Sequence, residues 1–121
     1  MSDAPAPYEF LNLESALEYL GDGQGVRDML PLLTKALERD VPEVAQLLSK
    51  GDIAEAAAVL HSLKGFLPIF CYPSLVEDLV RMEKSCKSGS NPDLLSDYDA
   101  LTWQLQGLGR EVSHFESQTK E

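Results

Sequence analysis

Apolar residues recur at intervals of three and four positions along most of this chain, and this spacing constrains its fold more than any other feature. The interval is that of one face of an α-helix, and four long segments show it. The most regular stripes are Ile53, Ala56, Leu60, Leu63, Leu67 and Phe70 in one segment and Leu94, Tyr98, Leu101, Leu105, Leu108, Val112 and Phe115 in another. No segment has the alternating pattern of a β-strand. The sequence therefore predicts an all-α protein.

Glycine, proline and capping residues divide the chain into helices with short connections. Helices are predicted at about 13–20, 25–50, 53–67, 74–87 and 92–116. Gly51 suits the C′ position that ends the second of them. The start signals are Asn12 as an N-cap, capping boxes at Asp52–Glu55 and Ser74–Glu77, and Asn91–Pro92 as N-cap and first helical residue. Pro68 is expected to kink or end the third long helix, because proline lacks the N–H that the helix needs.

Four amphipathic helices joined in this way pack as an antiparallel up-and-down four-helix bundle, here with a short additional N-terminal helix. A chain of 121 residues suffices for one hydrophobic core and is short for two. We expect residues 9–116 to form the bundle. Residues 1–8 are predicted to be a flexible N-terminal tail and residues 117–121 a frayed C-terminal tail.

Charge and composition argue against several classes of function. A formal charge of −10 argues against nucleic acid and against anionic membranes, because both attract basic proteins. No apolar run approaches the ~20 residues of a transmembrane helix, and the first residues do not resemble a signal peptide, so a cytoplasmic protein is expected. Cys71 and Cys86 should lie too far apart for a disulfide. No metal or cofactor site is predicted, because the His and Cys positions lack ligand spacing.

The run His61-Ser62-Leu63-Lys64-Gly65 carries the reactive chemistry of this sequence. Positions 61, 64 and 65 share one face of a helix. They supply a nucleophilic imidazole, an ammonium group that can balance phosphoryl charge, and a residue without a side chain. The apolar stripe of this helix is complete without His61, so the imidazole is expected at the surface. A larger residue at position 65 would lie over His61, although tight helix packing would also explain the glycine.

Several segments follow the pattern of one family. They are residues 17–21 (LEYLG), residues 50–52 (KGD), residues 60–65 (LHSLKG), and Leu75, Leu79 and Glu83. On these residues the chain resembles the histidine-containing phosphotransfer (HPt) domain family from about residue 13 to residue 115. Residues 66–71, just after the motif, are bulkier than is usual in that family.

The resemblance implies a carrier of phosphoryl groups. His61 would accept a phosphoryl group from a receiver-domain phospho-aspartate and pass it to another receiver. Lys64 would offset the phosphate charge, and Gly65 would leave the approach open. The implied partners are response-regulator receiver domains and/or a hybrid sensor histidine kinase, with Mg²⁺ in the acidic pocket of the receiver. No kinase-type phosphate loop is present, so we expect a relay protein rather than an enzyme, acting as a monomer.

Small apolar residues beside a reactive group suit a transient interface. The candidate docking residues are Ala57, Ala58 and Pro68, which we expect to be exposed, with part of the preceding long helix. The bulky residues 66–70 leave an alternative open, which is a non-phosphorylated HPt-like helical adaptor that binds a signalling partner through the same face.

Overall fold

The computed structural model describes residues 8–88 and 92–119, and this part of the chain is helical almost throughout. Its elements are α1 (Leu13–Leu20), α2 (Gly23–Lys50), α3 (Ile53–Phe66), a 3-10 turn (Leu67–Ile69), α4 (Pro73–Ser88) and α5 (Leu94–Thr119). Over the described ranges there is no β-strand, and a single bridge pairs Leu11 with Cys71. The prediction of an all-α protein is confirmed. Residues 1–7 of the predicted tail and the predicted N-cap Asn91 lie outside the described residues.

One hydrophobic core lies between the long helices. α2 packs against α3 and α5, α4 also packs against α3 and α5, and α1 lies on α2. The stripe on α2 that carries the helical spacing is buried throughout, at Val26, Leu30, Leu33, Leu37, Val41, Val44 and Leu48. The buried hydroxyl of Tyr98 donates a hydrogen bond of 2.9 Å to the carbonyl oxygen of Val41, which joins α5 to α2. The apolar periodicity therefore predicted the core correctly.

Two helix ends follow the predicted signals. The side chain of Asn12 accepts a hydrogen bond from the backbone N–H of Ser15 and caps α1. Gly51 ends α2 with a φ of 85°, a left-handed conformation that glycine adopts without steric cost. The next residue, Asp52, donates its N–H to the carbonyl oxygen of Leu47 and makes no side-chain cap on α3. The predicted Asp52–Glu55 capping box is wrong, because the end of α2 sets the Asp52 backbone.

Three other boundaries differ from the predictions. α4 begins at Pro73, because proline suits the first turn of a helix, so Ser74 lies within the helix instead of capping it. α5 begins at Leu94, and Pro92 therefore precedes the helix. α5 continues to Thr119, so the chain is still helical where a frayed tail was predicted. The effect of Pro68 is as predicted, since α3 ends at Phe66 and a 3-10 turn follows.

Residues 8–11, which precede α1, form hydrogen bonds with side chains of α5. The carboxylate of Glu111 accepts hydrogen bonds of 2.9 Å from the backbone N–H groups of residues 9–11. The hydroxyl of Tyr8 lies 2.8 Å from Nδ1 of His114. Tyr8, the last residue of the predicted tail, and the three residues that follow it therefore contact two side chains of α5.

No helix in the described ranges is long and apolar enough to cross a membrane. The same residues contain no group of three or more His, Cys, Asp or Glu side chains that could hold a metal ion. Cys71 and Cys86 are both buried and both carry free thiols. The prediction that they do not form a disulfide is confirmed.

Candidate functional site

His61 lies near the middle of α3, beside the buried stripe rather than in it. The neighbouring Leu60 and Leu63 are in the core, whereas 64% of the His61 side chain is exposed. Residues one and two positions apart point in different directions on a helix, so this contrast follows from the helical period. The imidazole is at the surface, as the apolar stripe predicts.

A buried carboxylate on α4 meets this imidazole. Glu83 is 2% exposed and lies on the otherwise apolar inner face of α4. Its Oε2 lies 3.0 Å from Nδ1 of His61 and 2.8 Å from Nζ of Lys87. Its Oε1 lies 2.9 Å from Nζ of Lys64. Three side chains from two helices therefore surround one buried negative charge.

These contacts keep Glu83 ionised. Burial acts to raise the pKa of this carboxyl group, but hydrogen bonds from Lys87, Lys64 and His61 outweigh it and lower the pKa of Glu83 to about 2. At neutral pH the side chain is a carboxylate, which accepts hydrogen bonds and cannot donate them.

An ionised Glu83 determines which nitrogen of His61 carries the proton. In a hydrogen bond to a carboxylate, Nδ1 must be the donor, so the neutral ring has its lone pair on Nε2. A carboxylate behind a histidine also fixes the rotation of the ring. The site therefore presents an exposed imidazole with its available lone pair on Nε2.

Two ammonium groups share the carboxylate that contacts the ring. Lys64 is on α3, one turn after His61, and Lys87 is on α4. Their side chains are 33% and 61% exposed, so both ammonium groups are bound to Glu83 and still reach solvent. Hydrogen bonds from ammonium groups to phosphoryl oxygens are charge-assisted and strong. The arrangement can neutralise a phosphoryl group beside Nε2.

The surface over Gly65 is open. A Cβ placed at this position would have no atom of another residue's side chain or of a neighbouring element within 4 Å. Tight helix packing therefore does not account for the glycine. An alanine would fit, and only a longer side chain could lean over His61.

The comparison with known families agrees with this geometry. Residues 28–111 match the family model described as the Hpt domain. The chain belongs to the Hpt domain family. Hpt domains carry phosphoryl groups on histidine in two-component signalling, interact with receiver domains and histidine kinases, and are not kinases themselves. No curated protein and no solved structure matches the chain.

In this Hpt domain a groove of about 620 Å³ opens beside His61 between α3 and α4. We call it the α3–α4 groove; it is lined by Ile53, Ala54, Ala57, Ala58, His61, Glu83, Cys86 and Lys87. Of the predicted docking residues, Ala58 is exposed, whereas Ala57 is only 4% exposed. The prediction of an exposed Ala57 is wrong, because the contact between α3 and α4 covers it. Pro68 is exposed in the 3-10 turn and does not line the groove.

Two residues of the site were not assigned a role from the sequence. Glu83 appeared only as part of the family pattern, and Lys87 was not considered. One signal was available, because Glu83 is a charged residue inside the apolar stripe of α4 and Lys87 follows it by four positions, one helical turn later. Buried carboxylates are rare unless they are paired, so such a residue predicts a partner on a facing helix.

Proposed function

We propose that this protein is a histidine phosphotransfer protein of a phosphorelay, and that Nε2 of His61 is the atom that carries the phosphoryl group. The observation that supports this most directly is the contact of Nδ1 with the buried carboxylate of Glu83. It orients the ring and leaves the lone pair on Nε2. The family membership supports the same function.

In the proposed forward step the lone pair of Nε2 attacks the phosphorus of a receiver phospho-aspartate. A bond forms between Nε2 and phosphorus, the bond from phosphorus to the aspartyl oxygen breaks, and the aspartate leaves as a carboxylate with the electron pair. In the reverse step a receiver carboxylate attacks phosphorus, and the electron pair of the broken bond returns to Nε2. The proton stays on Nδ1 throughout, so neither direction needs a general acid or base.

Glu83 supports both steps from behind the ring. When Nε2 bonds to phosphorus the imidazole ring becomes cationic, and the carboxylate on the Nδ1 side offsets this charge. When the phosphoryl group leaves, the protonated Nδ1 makes the leaving group a neutral imidazole rather than an imidazolate anion. Glu83 is thus a positioning residue, because it acts through His61 and does not touch the phosphoryl group.

Lys64 and Lys87 would stabilise the transferred group. Both ammonium groups lie on a buried carboxylate in the resting protein and are exposed enough to turn toward phosphoryl oxygens. Gly65 would let the receiver approach the ring, since the space above it is open. We place the Mg²⁺ that phosphoryl transfer from an acyl phosphate requires in the acidic pocket of the receiver.

We further propose that the four long helices form an antiparallel up-and-down bundle, with α1 as the additional helix. The contacts of α2 and α4 with both α3 and α5, and the short connections between consecutive helices, support this topology. We propose a monomer, since one exposed histidine is sufficient for the transfer. The free thiols of Cys71 and Cys86 support a reducing compartment, which we take to be the cytoplasm.

The test is transfer of radioactive phosphate from phosphorylated receiver domains of response regulators. The chain should gain a label that acid removes and base does not, and His61→Gln should gain none. His114→Gln is the matched control, because His114 is the other histidine and lies on α5; it should be labelled like the wild type. Binding of receivers without any label would instead support the adaptor function and would refute the relay.

A further inference from the structure

The α3–α4 groove extends from His61 toward the start of α3. Ile53, Ala54 and Ala58 line it on the α3 side, and Lys87 lines it on the α4 side. From Ile53 to His61 the helix rises by about 12 Å, at ~1.5 Å per residue. The groove therefore begins at the phosphorylation site and continues for two turns of α3.

The groove exists because the side chains along this face are small. Ala54 and Ala58 are exposed and end at Cβ, so they leave room that a longer side chain would fill. Alanine is also the best helix former, which would explain one such residue on any exposed face. Here, however, the two exposed residues that line the α3 side of the groove between its start and His61 are both uncharged, namely Ala54 and Ala58. An uncharged strip next to the reactive ring is a feature of a contact surface.

A receiver domain that donates a phosphoryl group must cover this groove. To reach Nε2, the acyl phosphate of a receiver has to approach to bonding distance of His61, which is itself part of the groove lining. A standard interface covers ~800 Å² on each partner, a patch about 16 Å in radius. The whole groove falls within that radius of His61. A partner that left it empty would enclose a void and lose contacts there.

The charge at the edge of the groove indicates which kind of receiver segment would bind there. Lys87 lies at this edge with 61% of its side chain exposed. It is an exposed cation in a chain whose formal charge is −10. A complementary segment carries an acidic residue to face Lys87 and an apolar side chain to lie over the alanines.

We infer that the α3–α4 groove is the part of the docking surface that selects the receiver, and that it holds a receiver segment with an apolar side chain over Ala54 and Ala58 and an acidic residue facing Lys87. This inference rests on the proposed phosphotransfer function. It adds a specificity determinant that lies outside the reacting atoms, in a groove that residues 62–65 of the motif do not line.

Ala58→Leu tests the inference, because leucine fills the groove and keeps a high helix propensity without changing the charge. Ala54→Leu is the second variant, one turn away, and Ala100→Leu on α5 is the control, since Ala100 is exposed and outside the groove. Each protein is labelled by two donors. Phosphoramidate is a small molecule that needs no docking, and a phosphorylated receiver domain that labels the wild type needs the full interface. Circular dichroism checks that each variant is folded.

We expect Ala58→Leu and Ala54→Leu to accept phosphate from phosphoramidate within twofold of the wild-type rate, and to require at least tenfold more receiver for half-maximal transfer. Ala100→Leu should match the wild type with both donors. Transfer from the receiver within twofold of wild type in both groove variants would overturn the inference. A loss with both donors would also overturn it, because the groove would then act on His61 and not on docking. Absence of label in the wild type with both donors would refute the phosphotransfer function itself.

Discussion

Replacing the buried carboxylate by its amide, Glu83→Gln, removes one negative charge and turns one acceptor oxygen into an NH₂ donor. Glu83 is 2% exposed, and its two oxygens bind Nδ1 of His61 and the ammonium groups of Lys64 and Lys87. Glutamine has a similar shape, but its carbonyl oxygen is its only side-chain acceptor, so its NH₂ group faces at least one of these donors. The variant therefore measures the contribution of the charge and its hydrogen bonds to the free energy of unfolding.

The expected magnitude follows from the pKa of Glu83. The pKa falls from 4.5 to about 2 on folding, and each unit is worth about 1.4 kcal/mol, so the ionised carboxyl stabilises the folded protein by roughly 3 kcal/mol at neutral pH. Because the folded pKa is the lower one, this stabilisation is present above pH 4.5 and is lost as the pH falls toward 2. Linkage predicts about 3 kcal/mol at pH 5 and above, and roughly 1.4 kcal/mol at pH 3.

Denaturant unfolding of the wild type and Glu83→Gln at pH 7, 5 and 3 checks this prediction. The variant should be less stable by about 3 kcal/mol at the two higher pH values, and the difference should shrink by about half at pH 3. Glu77→Gln is the matched control, because Glu77 is exposed on the same helix, and it should change stability by less than about 0.5 kcal/mol. A Glu83→Gln deficit that is equal at pH 7 and pH 3 would refute the assignment of an ionised, paired carboxyl.

Two glycine-to-alanine changes should have effects of opposite sign. Gly65→Ala places its Cβ in open space and should stabilise the protein by up to ~1 kcal/mol, because alanine favours the helix more than glycine does. Labelling of His61 in this variant should be normal. Gly65→Leu, in contrast, should slow phosphoryl transfer from a receiver. Gly107→Ala would bring its Cβ to 2.5 Å from Cε2 of the buried Phe10 ring. This overpacking should lower the free energy of unfolding, measured with denaturant, by about 1–3 kcal/mol. A more stable Gly107→Ala variant would contradict the close contact between Gly107 and Phe10. Burial raises the pKa of the Cys71 thiol to about 12. A thiol reagent should therefore modify Cys71 after unfolding and not in the folded protein. Rapid modification of Cys71 in the native protein would contradict this.

The sequence predicted those parts of the fold that depend on local periodicity. The helical stripes and the caps at Asn12 and Gly51 are properties of a few consecutive residues, and the structure contains them. The surface position of His61 follows in the same way, because it lies beside a stripe that is complete without it. The surface position of this imidazole could therefore be predicted without a structure.

The remaining features depend on residues that are distant in the sequence. The contact of Glu83 with His61 joins positions 22 apart on two helices, and its partners cannot be identified before the helices are packed. The carboxylate of Glu111 holds backbone N–H groups about 100 positions away. Asp52 fails as a cap because the end of the preceding helix determines its backbone. Local patterns contain none of this information.

The most direct measurement of the central claim is the identity of the ring nitrogen that carries phosphorus. The protein is labelled with ¹⁵N-histidine and phosphorylated with phosphoramidate, and coupling between ³¹P and ¹⁵N then identifies the bonded atom. We predict one phosphohistidine, at Nε2 of His61, with Nδ1 still protonated against Glu83. Phosphorus on Nδ1, or on His114, would contradict the claim that Glu83 directs the lone pair of His61 toward the partner.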